Sequence, residues 1–352
     1  MKNIVSIRDL ASTNTVPVVT MSGGAALVVI GGNFSGGSSA NTAIAFQSPG
    51  QIYLRSITNS GYHAIAAKNG ATVAGGASLI EYSSSAPISA FSTPAQALML
   101  PIQETPEYSD NSFANWANVK TFGAVGDGYH DDASAIQAAI DSGKTTVYLP
   151  FGNYKLGHEV IIRANVCMFR GFGATLIGDG SGAYHAIKVQ NTNCPAGSVT
   201  LNLLNGAGGF AAPEIEGAST GTVVLKDFRI LAYWTTSGWS GGGNVFLEDV
   251  SFGPYYFTKQ NVWARQLNPE TRTQHAINDG GTFWVLGLKT ENRVGNASAP
   301  SAILETKNGG RSEVLGDTTQ HRLSTAARFR VLSTATKMAA LPALCSLVEI
   351  PT

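Results

Sequence analysis

Four runs in the second half of the chain decide its architecture: Val223-Val-Leu-Lys-Asp227, Val245-Phe-Leu-Glu-Asp249, Val262-Trp-Ala-Arg-Gln266 and Phe283-Trp-Val-Leu-Gly287. Their first residues lie 22, 17 and 21 positions apart, and a fifth run, Ala302-Ile-Leu-Glu-Thr306, begins 19 positions after Phe283. Each is a short strand-forming segment followed by Gly, Asn or Asp, so each unit of about 20 residues buries one face only by stacking on the next. That period predicts an all-β parallel β-helix. The Leu-x-x-Leu-x-Leu spacing of a leucine-rich repeat is absent, and a β-sandwich would space its strands by about 8 to 12 residues with hairpin turns between them.

Working toward the N-terminus, Ala26-Leu-Val-Val-Ile30, Thr42-Ala-Ile-Ala-Phe46, Gln51-Ile-Tyr-Leu-Arg55 and His63-Ala-Ile-Ala66 repeat the pattern of short strands broken by Gly, Ser and Asn. The polar, Pro-containing stretch Glu104-Thr-Pro-Glu-Tyr-Ser-Asp-Asn-Ser112 interrupts the rhythm. The chain is therefore expected to hold two tandem modules: a shortened one over 1–105, a linker over 106–118, and a longer one over 119–352 whose last residues, from about 319, cover its end or run along its exterior.

Composition limits the partners. Of 352 residues, 40 are Gly, 43% are apolar and 13% are charged, with 23 cations balancing 23 anions. Such a chain lacks the cationic footprint of nucleic-acid or anionic-membrane binding, and no apolar stretch approaches the roughly 20 residues of a membrane span. Neither partner is expected. Cys167, Cys194 and Cys345 have no metal-ligand spacing and read as buried small apolar residues rather than a disulfide framework. The opening Met1-Lys-Asn-Ile-Val-Ser-Ile-Arg-Asp9 shows no uninterrupted apolar leader.

The most specific stretch is Val119-Lys-Thr-Phe-Gly-Ala-Val-Gly-Asp-Gly-Tyr-His-Asp-Asp-Ala-Ser-Ala-Ile-Gln-Ala-Ala-Ile140. Asp132 is placed to N-cap a helix over about 132–141 with Ile136, Ala139 and Ile140 on one face and Gly143 as its stop. Laid over the open end of a β-helix, that helix keeps water from the core. Asp127, Asp131 and Asp132 lack the spacing of an EF-hand loop and read as structural; Gly171-Phe-Gly173 and Gly178-Asp-Gly180 fall short of a dinucleotide fingerprint. No cofactor or metal is expected.

Together with Val147-Tyr-Leu-Pro-Phe-Gly-Asn-Tyr154, this stretch resembles the opening of right-handed parallel β-helix proteins of the pectate lyase superfamily. A narrower resemblance, in Asn261-Val-Trp-Ala-Arg-Gln-Leu-Asn-Pro-Glu270, Asn278-Asp-Gly-Gly281, Trp284-Val-Leu-Gly-Leu-Lys-Thr-Glu291 and Asn308-Gly-Gly-Arg-Ser-Glu-Val-Leu-Gly316, is to the C-terminal module of glycoside hydrolase family 55. That resemblance implies an extracellular β-1,3-glucanase with a cleft between two β-helices and an inverting mechanism.

Glu270 and Glu291 sit at equal offsets, eight after Val262 and eight after Phe283. Stacked on adjacent coils they form a carboxylate pair of the kind glycoside hydrolysis requires. The resemblance gives Glu291 the general acid's role and Glu270 the water-activating one, with Glu248, Asp249 and Asp279 in reserve. Trp263 and Trp284, at one offset on adjacent coils, are expected to face outward and stack on sugar; Trp239 and Tyr256 add aromatic surface, and Arg265, Gln266, Asn268 and Asp279 can bond hydroxyls. His275 is expected to be structural. The expected partner is a polysaccharide, a β-glucan by the resemblance, bound by a monomer or by a chain whose first module a partner completes. A polysaccharide lyase or phage-type depolymerase, and a non-catalytic carbohydrate-binding or structural β-helix, are the alternatives.

Overall fold

The computed structural model describes residues 4–85, 88–89, 97–178, 186–204, 214–227, 229–230, 232–235, 242–270, 275–290, 303–319, 329–331 and 337–340. These residues form two parallel β-helical stacks. In the longer one, strands Trp116–Asn118, Thr146–Leu149, Met168–Phe172, Ser198–Leu204, Thr222–Lys226, Asn244–Glu248, Asn261–Leu267, Thr282–Thr290, Arg311–Thr319 and Lys337–Ala340 lie side by side in one long parallel sheet. A second sheet of eight strands, from Val160–Ile162 to Phe329–Val331, runs beside it. A third of three strands, Asp127–Asp131, Gly152–Leu156 and Ala174–Gly178, serves the first coils.

Register follows side-chain alternation. Val223, Val245, Val262 and Phe283 pair in one column and Leu225, Leu247, Ala264 and Val285 in another, all buried in a single core. The Ala302 run does not extend the first column: Phe283 pairs with Ser312, and Leu304–Lys307 belongs to the second sheet, one side of the coil further round.

Helix Ala133–Ile140 covers the first coil with Ile136, Ala139 and Ile140 buried. Asp132 occupies its N-cap position, but the oxygen that caps is Asp131 Oδ1, which accepts from Ala133 N at 3.1 Å. The Asp132 carboxylate turns back instead and accepts from Val125 N at 2.6 Å and Gly126 N at 3.0 Å. The cysteine expectation is corrected: Cys167 and Cys194 form a disulfide across 27 residues, bonding the segment before the third strand of the long sheet to the segment before the fourth. Cys345 lies outside the described residues.

The shorter stack alternates Ile4–Ser12, Ala26–Phe34 and Gln51–Asn59 in one sheet with Val19–Met21, Thr42–Phe46 and Ala64–Lys68 in another. Both sheets end on antiparallel strands, Ser78–Ser83 on the first and Ala71–Ala74 on the second. Reversing the chain there ends the parallel ladder without a helix.

The connecting segment is an extended strap on the outer face of the long sheet. Leu100 N meets Glu313, Pro101 O accepts from Trp263 Nε1 at 2.9 Å, Thr105 meets Glu248, Glu107 pairs with Lys226, and Asp110 accepts from Thr145. Seven strand-to-strand steps of about 4.8 Å span roughly 34 Å, which ten fully extended residues just cover at about 3.3 to 3.6 Å each. The strap therefore has no slack, and its contacts follow the stack in chain order from the coil of Glu313 to that of Thr145.

Candidate functional site

Where the long sheet turns its corner, Asp227, Asp249 and Gln266 hold positive φ of 57°, 49° and 57°, followed in the same column by Gly287 and Gly316. The left-handed backbone region strains most L-residues and suits Asp, Asn and Gly. The two glycines fall where the first stack docks: a Cβ on Gly316 would lie 2.8 Å from Ser6 Oγ. Beside this corner the two stacks enclose a cleft of about 670 Å³, walled by Ile4, Ser6 and Arg8 from the first and by Glu248 to Ser251, Arg265 to Asn268, Leu286 to Lys289 and Gly316 from the second.

Its charges are arranged by the strap. Glu104 accepts from Arg8 Nη2 at 2.7 Å and from Arg265 Nη2 at 3.0 Å, so one carboxylate joins a cation of each stack. Arg265 also donates to Gln103 O at 2.7 Å and lies 5.4 Å from the Trp284 ring centre. Glu248 accepts from Thr105 Oγ1 at 2.5 Å and pairs with Lys226 at 3.0 Å. Burial alone would raise the Glu248 carboxyl, but these partners outweigh it and hold it below its ordinary pKa. Asp249, next in the chain, moves the other way: partial burial, then the charges of Asp227 and Glu248, push it up. Glu270 accepts from Lys289 Nζ at 2.6 Å and Asn268 Nδ2 at 3.0 Å, and these partners lower its pKa against the opposing effect of burial.

Of the residues singled out by sequence, Glu248, Asp249, Arg265, Gln266 and Asn268 line the cleft, and Glu270 is held at its edge through Lys289 and Asn268. Glu291 and Trp239 lie outside the described residues. Trp263 and Trp284 do pair across adjacent strands and point away from the coil interior, as alternation requires. The expectation that they meet sugar is corrected, because they are only 5% and 1% exposed. They pack with Val28, Ile30 and Tyr53 of the first stack and Leu100 of the strap. Asp279, bonded to Asn308 at 2.6 Å and Lys307 at 3.3 Å, and half-buried Tyr256 belong to the second sheet and not to the cleft wall. His275 is buried against Thr290 Oγ1 at 2.8 Å, a structural position. Arg8, Glu104, Thr105 and Lys289 were not singled out. The first three join the site only through the docking of segments far apart in sequence, which leaves no local signal.

Among the described residues no group of three or more His, Cys, Asp or Glu side chains is placed to hold a metal ion, and no helix is long and apolar enough to cross a membrane.

A family model described as rhamnogalacturonase A/epimerase, pectate lyase-like, matches residues 116–230. Mannuronan C5-epimerase AlgE5 of Azotobacter vinelandii is 49% identical over 72 residues, covering 17% of this chain and 7% of that protein. Alginate lyase 7 of the same organism is 50% identical over 72 residues, covering 17% and 8%. The chain thus spans less than a tenth of the length of these relatives. Among solved structures, ORF18 of Geobacillus virus E2 aligns at 15% identity and a TM-score of 0.32, covering 57% of this chain and 53% of that one. The family match supports a pectate lyase-like β-helix at residues 116–230.

Proposed function

We propose that the protein acts on a polysaccharide laid along the cleft between its two stacks and cleaves a glycosidic bond there by paired carboxylate chemistry. The observation that carries this reading is the cleft between the stacks, with Glu248 and Asp249 in its wall and Glu270 held at its edge by Lys289 and Asn268; Asp249 is displaced upward and the other two downward. Opposed displacement of this kind is what suits Asp249 to the acid's role and Glu270 to the base's. In this reading Asp249 gives its proton to the leaving glycosidic oxygen. Glu270 takes a proton from the attacking water, whose oxygen bonds to the anomeric carbon as the glycosidic bond breaks. Inversion at that carbon and β-1,3-glucan as substrate come from the resemblance to glycoside hydrolase family 55, as does the proton-donor role of Glu291, which the same experiment weighs against Asp249.

A second reading, action on a uronate polymer, is favoured by the names of the matched relatives, a mannuronan epimerase and an alginate lyase. The two separate on products. Laminarin and alginate are incubated with the wild type and with Asp249→Asn, Glu270→Gln and Glu291→Gln. New reducing ends from laminarin, lost in Asp249→Asn, support hydrolysis as assigned. Loss in Glu291→Gln alone moves the acid to that residue. Ultraviolet-absorbing unsaturated ends from alginate replace hydrolysis with elimination.

A further inference from the structure

Away from the cleft, the first coils of the long stack carry a line of aromatic rings. Phe113 and Trp116 lie 5.1 Å apart between centres, Trp116 and Tyr148 5.7 Å, and Tyr148 and Phe172 5.9 Å. Trp116, Tyr148 and Phe172 come from three successive strands of the long sheet, so the line runs along the β-helix axis. It is fixed in place, because Trp116 Nε1 donates to Asp110 O at 3.1 Å and Arg170 lies 5.4 Å from the Phe172 ring centre. Phe113 is 78% and Phe172 43% exposed, and Phe151, whose ring edges against Gly173, is 82% exposed.

We infer that this ladder is a second polysaccharide-binding surface, which holds the polymer that the cleft acts on; it rests on the reading of the protein as polysaccharide-active. Two observations select this occupant. With aromatic side chains burying on the order of 200 Å² each, the exposed parts of the five rings offer roughly 550 Å² at most, short of the ~800 Å² per partner of a stable protein interface. A narrow file of rings at coil spacing instead matches the apolar faces of successive pyranose rings, with the Arg170 guanidinium at hand for a hydroxyl. The ladder also points toward the cleft: the coil of Phe172 is three strand steps from that of Asp249, roughly 14 Å.

The test is affinity electrophoresis of the full chain through gels holding laminarin or alginate, with Phe113→Ala/Phe172→Ala beside wild type and Asp249→Asn. Both substituted rings are exposed, and an unchanged melting temperature checks the fold. Retardation is expected to persist in Asp249→Asn and to weaken roughly tenfold or more in the double variant, whose turnover of a short oligosaccharide stays at the wild-type level. Ring-dependent retardation without turnover in any variant leaves the ladder standing and removes the catalytic reading. Retardation that is absent, or indifferent to the two rings, overturns the inference. So does an oligomer, seen by sedimentation, that the same substitutions dissociate, because the occupant is then a second copy of this chain.

Discussion

The left-handed corner column of the first stack carries Asp9, Gly31 and Ser56, with φ of 53°, 74° and 57°; that of the second carries Asp227, Asp249, Gln266, Gly287 and Gly316. In the first, the corner closes on itself. Asp9 is paired with Arg8 at 2.9 Å, and a Cβ on Gly31 would meet Asp9 Oδ1 at 2.2 Å, so the glycine is what admits the carboxylate. In the second, the glycines sit where the first stack docks, Asp249 is left facing the cleft, and Asp227, one coil away, accepts from Asn202 Nδ2 at 3.0 Å. One backbone geometry serves packing in one stack and presents the Asp249 carboxyl to the cleft in the other. What separates them is which coils bear a side chain.

The largest effect that would break this contrast is on turnover. Asp249→Asn is expected to lower kcat by roughly 10²- to 10⁴-fold, the range for loss of a proton donor, while Asp9→Asn leaves kcat unchanged; equal effects in steady-state assays would erase the distinction. The pH profile sharpens it. An acid must be protonated to act, and Asp249 is displaced upward while Glu248 and Glu270 are displaced downward. Activity should therefore fall on the alkaline side at a pH above the ordinary aspartate value, and Asp249→Asn should remove that limb.

Next is the joint between the stacks. Arg55 Nη1 donates to Glu313 at 3.1 Å where both are nearly fully buried, and Glu313 also accepts from Met99 N at 3.0 Å and Leu100 N at 3.3 Å. Burial outweighs these partners and raises the Glu313 pKa. Because the folded state then binds that proton more tightly than the unfolded chain, the group's contribution to stability declines as pH rises through the displaced pKa. Removing one partner of a buried pair typically costs about 3 to 5 kcal/mol, so Arg55→Met should lower the denaturation midpoint by that equivalent. A loss below about 1 kcal/mol would mean the stacks do not depend on the pair.

Within the long stack, reducing the Cys167–Cys194 bond should cost roughly 3.5 kcal/mol from the entropy of a 27-residue loop. It should leave the first stack's hydrogen-exchange protection intact, whereas loss of protection in both would show one cooperative unit. The smallest effect is at the strap. Thr105→Val keeps the side chain's shape and removes its bonds with Glu248 and Arg265, worth about 1 kcal/mol each, and differential scanning calorimetry should register a correspondingly small shift.

Much of this was legible in the chain. Val223, Val245, Val262 and Phe283 announce their stacking by spacing alone, because alternation and coil length are local properties, and the capping helix shows in one amphipathic turn pattern. The column failed at Ala302 because a strand of the second sheet and one of the long sheet carry the same alternation, and nothing local says which side of a coil a strand occupies. Trp263 and Trp284 were placed outward correctly, but outward is not exposed. Their cover comes from residues 97–101 and the first stack, which local pattern cannot reveal. The cysteine pair is hidden for a similar reason, since 27 residues bring Cys194 back beside Cys167 only if the coil between them closes.

A stack of parallel coils with a helix over one end is written in the chain, because side-chain period, turn residues and helix signals act within a few residues. Where the cleft lies, which carboxyls face it and what covers the tryptophans are settled when the two stacks dock. Those depend on contacts such as Arg55 with Glu313 and Met99 with the same carboxylate, 258 and 214 positions apart. Their free energy comes from burial and charge pairing that no segment of the chain experiences until the two stacks meet.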